Sequence, residues 1–141
     1  EVIRSLINDG ITINCTALMS LSQVFFANKV GCRYVSLFYG RILDEGGDAY
    51  QVMEDSIRLL ETSEKIIGRY LETDLIVGSI RTVGDATECI RGGTHIITIP
   101  PSVLEKMLIH RNSLETSIQF EEDYIPVSIL KGLEKSLVKD L

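Results

Sequence analysis

"YVSLFYGRILDEGG", residues 34–47, carries an apolar, aromatic-rich run straight into Arg41 and then into acids and glycines. The first five residues are apolar or small at consecutive positions, the pattern of a strand covered on both faces. Three similar runs flank it: "ITINC" (11–15), "LIVGS" (75–79) and "HIITI" (95–99). None leads directly into a second strand; each is followed by residues at helical spacing.

After the first run, Ser20 is placed to cap a helix on which Leu21, Val24 and Phe25 share an apolar face, with Gly31 at its end. After the second, Met53, Ile57, Leu60, Ile67 and Leu71 predict a long amphipathic helix over about 48–70. A short helix over about 84–91, stopped by Gly92 and Gly93, follows the third. After the fourth, Pro101 suits a first helical position and Ser102 and Glu105 have capping-box spacing. Val103, Leu104, Met107 and Leu108 are the expected buried positions there. Strand-helix alternation implies parallel strands, because parallel neighbours need a crossover and a helix is the usual one. The class is therefore α/β: four consecutive β/α units with helices beyond them. An open doubly wound sheet and half of an eight-unit barrel both satisfy the pattern.

With 141 residues, 45% of them apolar, the chain is expected to form a single domain over 1–141. A formal charge of −6 argues against nucleic acid or an anionic membrane as partner, since either would want a basic face. No run approaches the roughly 20 apolar residues of a membrane span. Cys15, Cys32 and Cys89 are odd in number and widely spaced, with only His95 and His110 to help them. They read as reduced thiols packed as small apolar residues, which points to a reducing, cytoplasmic setting without a metal centre. The chain opens at Glu1 with "EVIRSLINDGI", a helical tail stopped at Gly10, and so reads as a piece of something longer. Beyond His110 it is helical and charged, with a last amphipathic segment over 126–141.

In parallel α/β folds ligands bind outside the carboxyl ends of the strands. Those ends carry Asn14 and Thr16, then Ser36, Phe38 and Arg41, then Ser79 and Arg81, then Thr98 and Pro100. Arg41, Ser79 and Arg81, beside the start of the helix after Arg81, form a candidate phosphate pocket. Arginine supplies fixed bidentate donors, and a helix start adds N–H groups and a positive dipole end.

The stretches "INCTALMSLSQVFFANKVGCRYVSLFYGRILDEGGDAY" and "VGSIRTVGDATECIRGGTHIITIPPSVLEKML" resemble the transaldolase family, which includes the fructose-6-phosphate aldolases. "GRILD", "GSIR" and "TIPPSVLEKML" in that order are specific together, and "FEEDY" (120–124) is similar to an acidic-aromatic segment in the family's final helix. The resemblance covers about 1–124. It implies strands five to eight of a TIM (β/α)8 barrel that makes and breaks a carbon-carbon bond in a ketose phosphate through a lysine Schiff base, without cofactor or metal. Arg41, Ser79 and Arg81 match the family's phosphate-binding positions, Ser36 and Phe38 two wall positions, and Asn14 and Thr16 a polar pair that helps hold the donor and the catalytic water. Phe38 matches the transaldolase branch, where the aldolases tend to have tyrosine.

Two departures stand out: Leu37 replaces the usual proline and Tyr39 the usual valine. The family's lysine, its acid/base carboxylates and an asparagine would all precede Glu1. The resemblance therefore implies a phosphate anchor without its nucleophile, in a protein completed by a second copy or by an amino-terminal half. The expected activity is transfer of a dihydroxyacetone unit between sugar phosphates. The alternatives are a fructose-6-phosphate aldolase-like lyase, a non-catalytic sugar-phosphate-binding or assembly subunit, and a small open α/β module.

Overall fold

The computed structural model describes residues 1–67, 72–124 and 129, with side chains of 63–67 left out. Two compact units are present, Glu1–Glu105 and a second from Lys106 onward.

The first unit opens with α1 (Val2–Asn8), whose carboxyl end is closed by the Gly10 and Ile11 amides donating to Ile7 and Leu6. The four strands are β1 (Asn14–Leu18), β2 (Tyr34–Phe38), β3 (Asp74–Gly78) and β4 (Ile96–Ile97). They form one parallel sheet in the order β1-β2-β3-β4. The crossovers are α2 (Leu21–Val30), then α3 (Tyr39–Asp44) with α4 (Ala49–Ile67), then α5 (Val83–Arg91). Because the strand order never reverses, right-handed crossovers lay α2, α4 and α5 on the same face of the sheet. A doubly wound sheet reverses order and places helices on both faces. This winding is consistent with a TIM-barrel family.

The core lies under those helices. Val35 and Leu37 pair in register with Leu75 and Val77, and all four are buried. Val24 and Ala27 from α2, Met53, Ile57 and Leu60 from α4, and Ala86 and Cys89 from α5 cover them. The alternate positions Asn14, Tyr34, Ser36, Phe38, Asp74, Ile76 and Gly78 belong to the opposite face. Cys32 and Cys89 are packed inside as small apolar groups.

Several expectations shift. The first strand covers Asn14–Leu18 and not 11–15, because residues 10 and 11 are spent closing α1 and β1 must pair with a partner that begins at Tyr34. The fourth strand shrinks to Ile96–Ile97: the Leu75 amide donates to His95 Nδ1 at 2.9 Å, so a side chain replaces the first rung. On α2, Ser20 caps and Gly31 closes the helix at φ 97°, as expected, but Leu21 and Phe25 are exposed and Asn28 is buried in their place. The inward face of α2 runs through Val24, Ala27 and Asn28, where the Asn28 amide donates to Thr73 Oγ1 at 3.0 Å. The long helix is α4, with residues 68–70 and Leu71 of its expected extent outside the described residues. In α6 (Pro101–Leu108) Val103 is buried while Leu104 and Leu108 are exposed. Ser102 is its second residue, so it cannot be the cap. In the second unit α7 (Arg111–Glu122) has no buried residue, and the expected segment over 126–141 lies outside the described residues except for Ile129.

Candidate functional site

The residues after Phe38 do not run into an irregular loop. Tyr39–Asp44 is the short helix α3, which the glycine at position 40 and the acids beyond conceal in the sequence. It forms because packing holds it: Tyr39 and Ile42 are buried, and Gly40 lies flat against the end of β3. A Cβ at Gly40 would collide with the Ser79 carbonyl oxygen and lie 2.8 Å from Arg81 Nε and 3.0 Å from Ser79 Oγ. Arg41 therefore sits in the first turn of α3, exposed at the carboxyl end of the sheet.

Arg81 lies across from it. Its Nη1 donates to Asp44 Oδ1 and its Nη2 to Asp44 Oδ2, a bidentate pair between the segment after β3 and the last residue of α3. The Arg81 guanidinium, with a smaller contribution from Arg41, holds the Asp44 carboxyl below the usual carboxylate range. Asp44 thus pairs with Arg81 and lies three positions from Arg41 on α3.

Ser79 leaves β3 with φ 61°, in the left-handed region that non-glycine residues seldom enter. Ala17 has the same φ inside β1, where the register slips between Cys15 and Leu18. Such strain at the carboxyl rim of a sheet is a recurring mark of functional segments.

The sheet face away from the helices holds the remaining candidates. Ser36 donates its hydroxyl to Asn14 Oδ1 at 2.9 Å. Asn14 begins β1 and Thr16 is its middle residue, so both lie along that strand and not at its end. Phe38 ends β2 directly opposite Gly78, whose missing side chain leaves the ring room. Thr98 continues the ladder past β4, its amide donating to the Val77 carbonyl at 2.9 Å.

The start of α5 is less open than its position suggests. Thr82 Oγ1 accepts from the Asp85 amide at 3.0 Å, and Asp85 Oδ2 accepts from the amides of Thr82 and Arg81 at 3.0 and 3.1 Å. Those N–H groups are engaged within the chain, so an anion here would rely on the arginine side chains.

Two participants escaped the sequence reading. Asp44 stood in the sequence as the last residue of "GRILD" with no role assigned, because its partner is 37 positions away. Tyr39, which in the sequence stood only as a replacement for the family's usual valine, is buried with 1% of its surface exposed and donates to Glu88 Oε2 at 2.6 Å. Burial, and then the Glu88 carboxylate, push its phenol well above the ordinary tyrosine range.

Lys29 and Lys106 are exposed on helices, and no strand contains a lysine among the described residues. Among the described residues no group of three or more His, Cys, Asp or Glu side chains could hold a metal ion. No described helix is long and apolar enough to cross a membrane.

Residues 1–135 match the family described as Transaldolase/Fructose-6-phosphate aldolase. The chain is 36% identical over 109 residues to a probable transaldolase of Nitrosopumilus maritimus (strain SCM1), covering 76% of this chain and 46% of that protein. It is 35% identical over 119 residues to one from Streptococcus pyogenes serotype M2 (strain MGAS10270), covering 82% and 51%. A third, from Clostridium tetani (strain Massachusetts / E88), is 36% identical over 124 residues, covering 88% and 55%. The chain spans about half the length of these curated relatives. Among solved structures, the A198G:L230A flavocytochrome b2 with sulfite bound is similar at TM-score 0.53 and 21% identity, over 91% of this chain and 33% of that one, a likeness of fold alone. With four parallel β/α units and a family match over residues 1–135, the chain belongs to the transaldolase/fructose-6-phosphate aldolase family.

Proposed function

We propose that the chain supplies strands five to eight of a (β/α)8 barrel, and that the complete protein transfers a dihydroxyacetone unit between sugar phosphates. In this reading Arg41, Ser79 and Arg81 bind the phosphate group. Asn14, Thr16, Ser36 and Phe38 line the path of the sugar along the uncovered face of the sheet.

The observation that carries the reading is the placement at the carboxyl rim of Arg41, on α3, and of Arg81, paired with Asp44 at the end of the same helix, in a chain of net charge −6. Arg41 and Arg81 there offset Asp44 and Asp85, whose carboxylate accepts from the Arg81 amide, so the rim is close to neutral in an otherwise acidic chain. A phosphate dianion has bidentate arginine chemistry to use there. The curated relatives' description as probable transaldolases, and Phe38 in place of tyrosine, favour transfer over simple cleavage.

The nucleophile belongs to the other half of the barrel. A lysine amine there attacks the ketose carbonyl carbon and water leaves, giving an imine whose protonated nitrogen withdraws the electron pair of the breaking carbon-carbon bond. A lysine does this near neutral pH only where burial or a cationic neighbour lowers its pKa. Lys29 and Lys106 are exposed on helices and away from the strand ends.

Borohydride tests the reading in the complete protein. With a ketose phosphate present, reduction of the imine should fix a sugar adduct on one lysine preceding the segment that corresponds to Glu1. No adduct would overturn the aldolase chemistry, and an adduct on a lysine within these 141 residues would overturn the division of labour. Release of the three-carbon unit in the presence of an aldehyde phosphate acceptor, without its transfer, would assign a lyase instead.

A further inference from the structure

We propose that Asp44 is the positioning residue of the phosphate site: it holds the Arg81 guanidinium in the orientation that meets the anion, and does not compete with the anion for it. The proposal rests on the reading of Arg81 as a phosphate ligand. An arginine side chain has many rotamers, and a free one loses on the order of 2 kcal/mol of entropy when a ligand fixes it. Here that freedom is already removed. Asp44 takes one N–H from each terminal nitrogen, and the bare backbone of Gly40 lies under Nε. Of five guanidinium N–H donors, about three remain for a ligand, in a plane fixed by the protein.

A carboxylate beside an anion site could instead be a gate that the ligand pushes aside. The geometry speaks against it. Asp44 has a short side chain on a helix tied down at its other end by buried Tyr39 and the Tyr39–Glu88 hydrogen bond, with buried Ile42 between. The helix that carries it is held in place, so moving the carboxylate aside means breaking both of its bonds to Arg81 by rotation of the side chain alone. The two roles predict opposite signs. If Asp44 competes, removing its charge tightens phosphate binding; if it positions, removal weakens binding although the site becomes more positive.

The test uses the complete protein, inorganic phosphate and fructose 6-phosphate as probes, and the variants Asp44→Ala, Asp44→Asn, Arg81→Ala and the double variant Asp44→Ala/Arg81→Ala. Asp44→Ala should raise Kd for inorganic phosphate and KM for the sugar phosphate by about tenfold, with kcat within about twofold. Asp44→Asn, which keeps the shape and one acceptor, should fall between it and wild type. The double variant should be no worse than Arg81→Ala alone, because the two residues act as one unit. Unchanged or tighter binding in Asp44→Ala and Asp44→Asn, with Arg81→Ala impaired, overturns the proposal alone. Intact phosphate affinity in Arg81→Ala overturns the phosphate-site reading and the proposal with it. Equal loss of phosphate and of unphosphorylated fructose in Asp44→Asn, with a lowered Tm, would reduce Asp44 to a structural tether and also overturn it.

Discussion

Tyr39 and Glu88, 49 positions apart, are joined by a 2.6 Å hydrogen bond that ties α3 to α5. Both ends of α3 are thereby fixed to the following unit, Tyr39 at its start and Asp44 at its end. Arg41 lies between the two anchors, so its backbone is held with α3 while its side chain is exposed.

Removing the first anchor should cost stability without abolishing the fold. Tyr39→Phe keeps the buried ring and loses only the hydroxyl, while Glu88 remains near enough to the surface to be hydrated. The expected loss is about 0.5–1.5 kcal/mol, read as a lower urea midpoint at unchanged slope in the complete protein. No shift would mean that the bond contributes nothing beyond burial of the ring.

Gly40→Ala should be worse than helix propensity suggests. Alanine favours a helix interior by about 1 kcal/mol over glycine. Its methyl group would meet the Ser79 carbonyl and the Arg81 Nε, so α3 must lift from β3. A net destabilisation of about 1–3 kcal/mol is expected, together with weaker sugar-phosphate binding. A variant as stable as wild type would show that the contact yields without strain.

Ser79→Gly should separate stability from binding. Glycine accepts the φ of 61° without penalty, so the melting point should hold or rise by the equivalent of about 1 kcal/mol. Loss of the hydroxyl should weaken phosphate binding by about five- to tenfold. Simultaneous loss of both would mean that Ser79 is structural.

Arg41→Ala and Arg81→Ala should each weaken binding of a sugar phosphate by about ten- to hundredfold and leave the unphosphorylated sugar nearly unaffected. Arg41→Lys should recover part of the loss, since a point charge does not reproduce the guanidinium fork. Calorimetric titration of both ligands against these variants decides it. Equal affinity of the wild type for the two ligands would leave the arginines without a phosphate role.

Alkali should destabilise the protein early. Burial, with Asp85 and Glu88 nearby, pushes the Cys89 thiol up to about 12, and burial with Cys15 also raises Cys32. Both groups hold their protons more tightly when folded than unfolded, where thiols titrate near about 8.5. Their contribution is complete below that value and is lost as pH rises toward the folded values. The urea midpoint should therefore fall as pH rises from about 8.5 toward about 12, and a constant midpoint would contradict it.

The periodic elements and their alternation are legible in the order of the amino acids alone. Residues 34–38 read as a strand and are one, and Ser20 and Gly31 bound α2 as their side-chain chemistry requires. Capping, left-handed closure and apolar spacing act over a few neighbouring residues, so the chain displays them directly. The polar groups at the strand ends were legible for the same reason, since parallel topology directs attention there. Which long-range partners compete for the same groups emerges only once the chain is folded. His95 shortens β4 by taking the Leu75 amide, and Asn28 turns the buried face of α2 away from Phe25. Packing against Ser79 makes a helix of "YGRILD", and Asp44 reaches Arg81 across 37 positions. The strand order belongs with these. Doubly wound and singly wound sheets share the same local pattern, and they differ only in which edge each new strand joins.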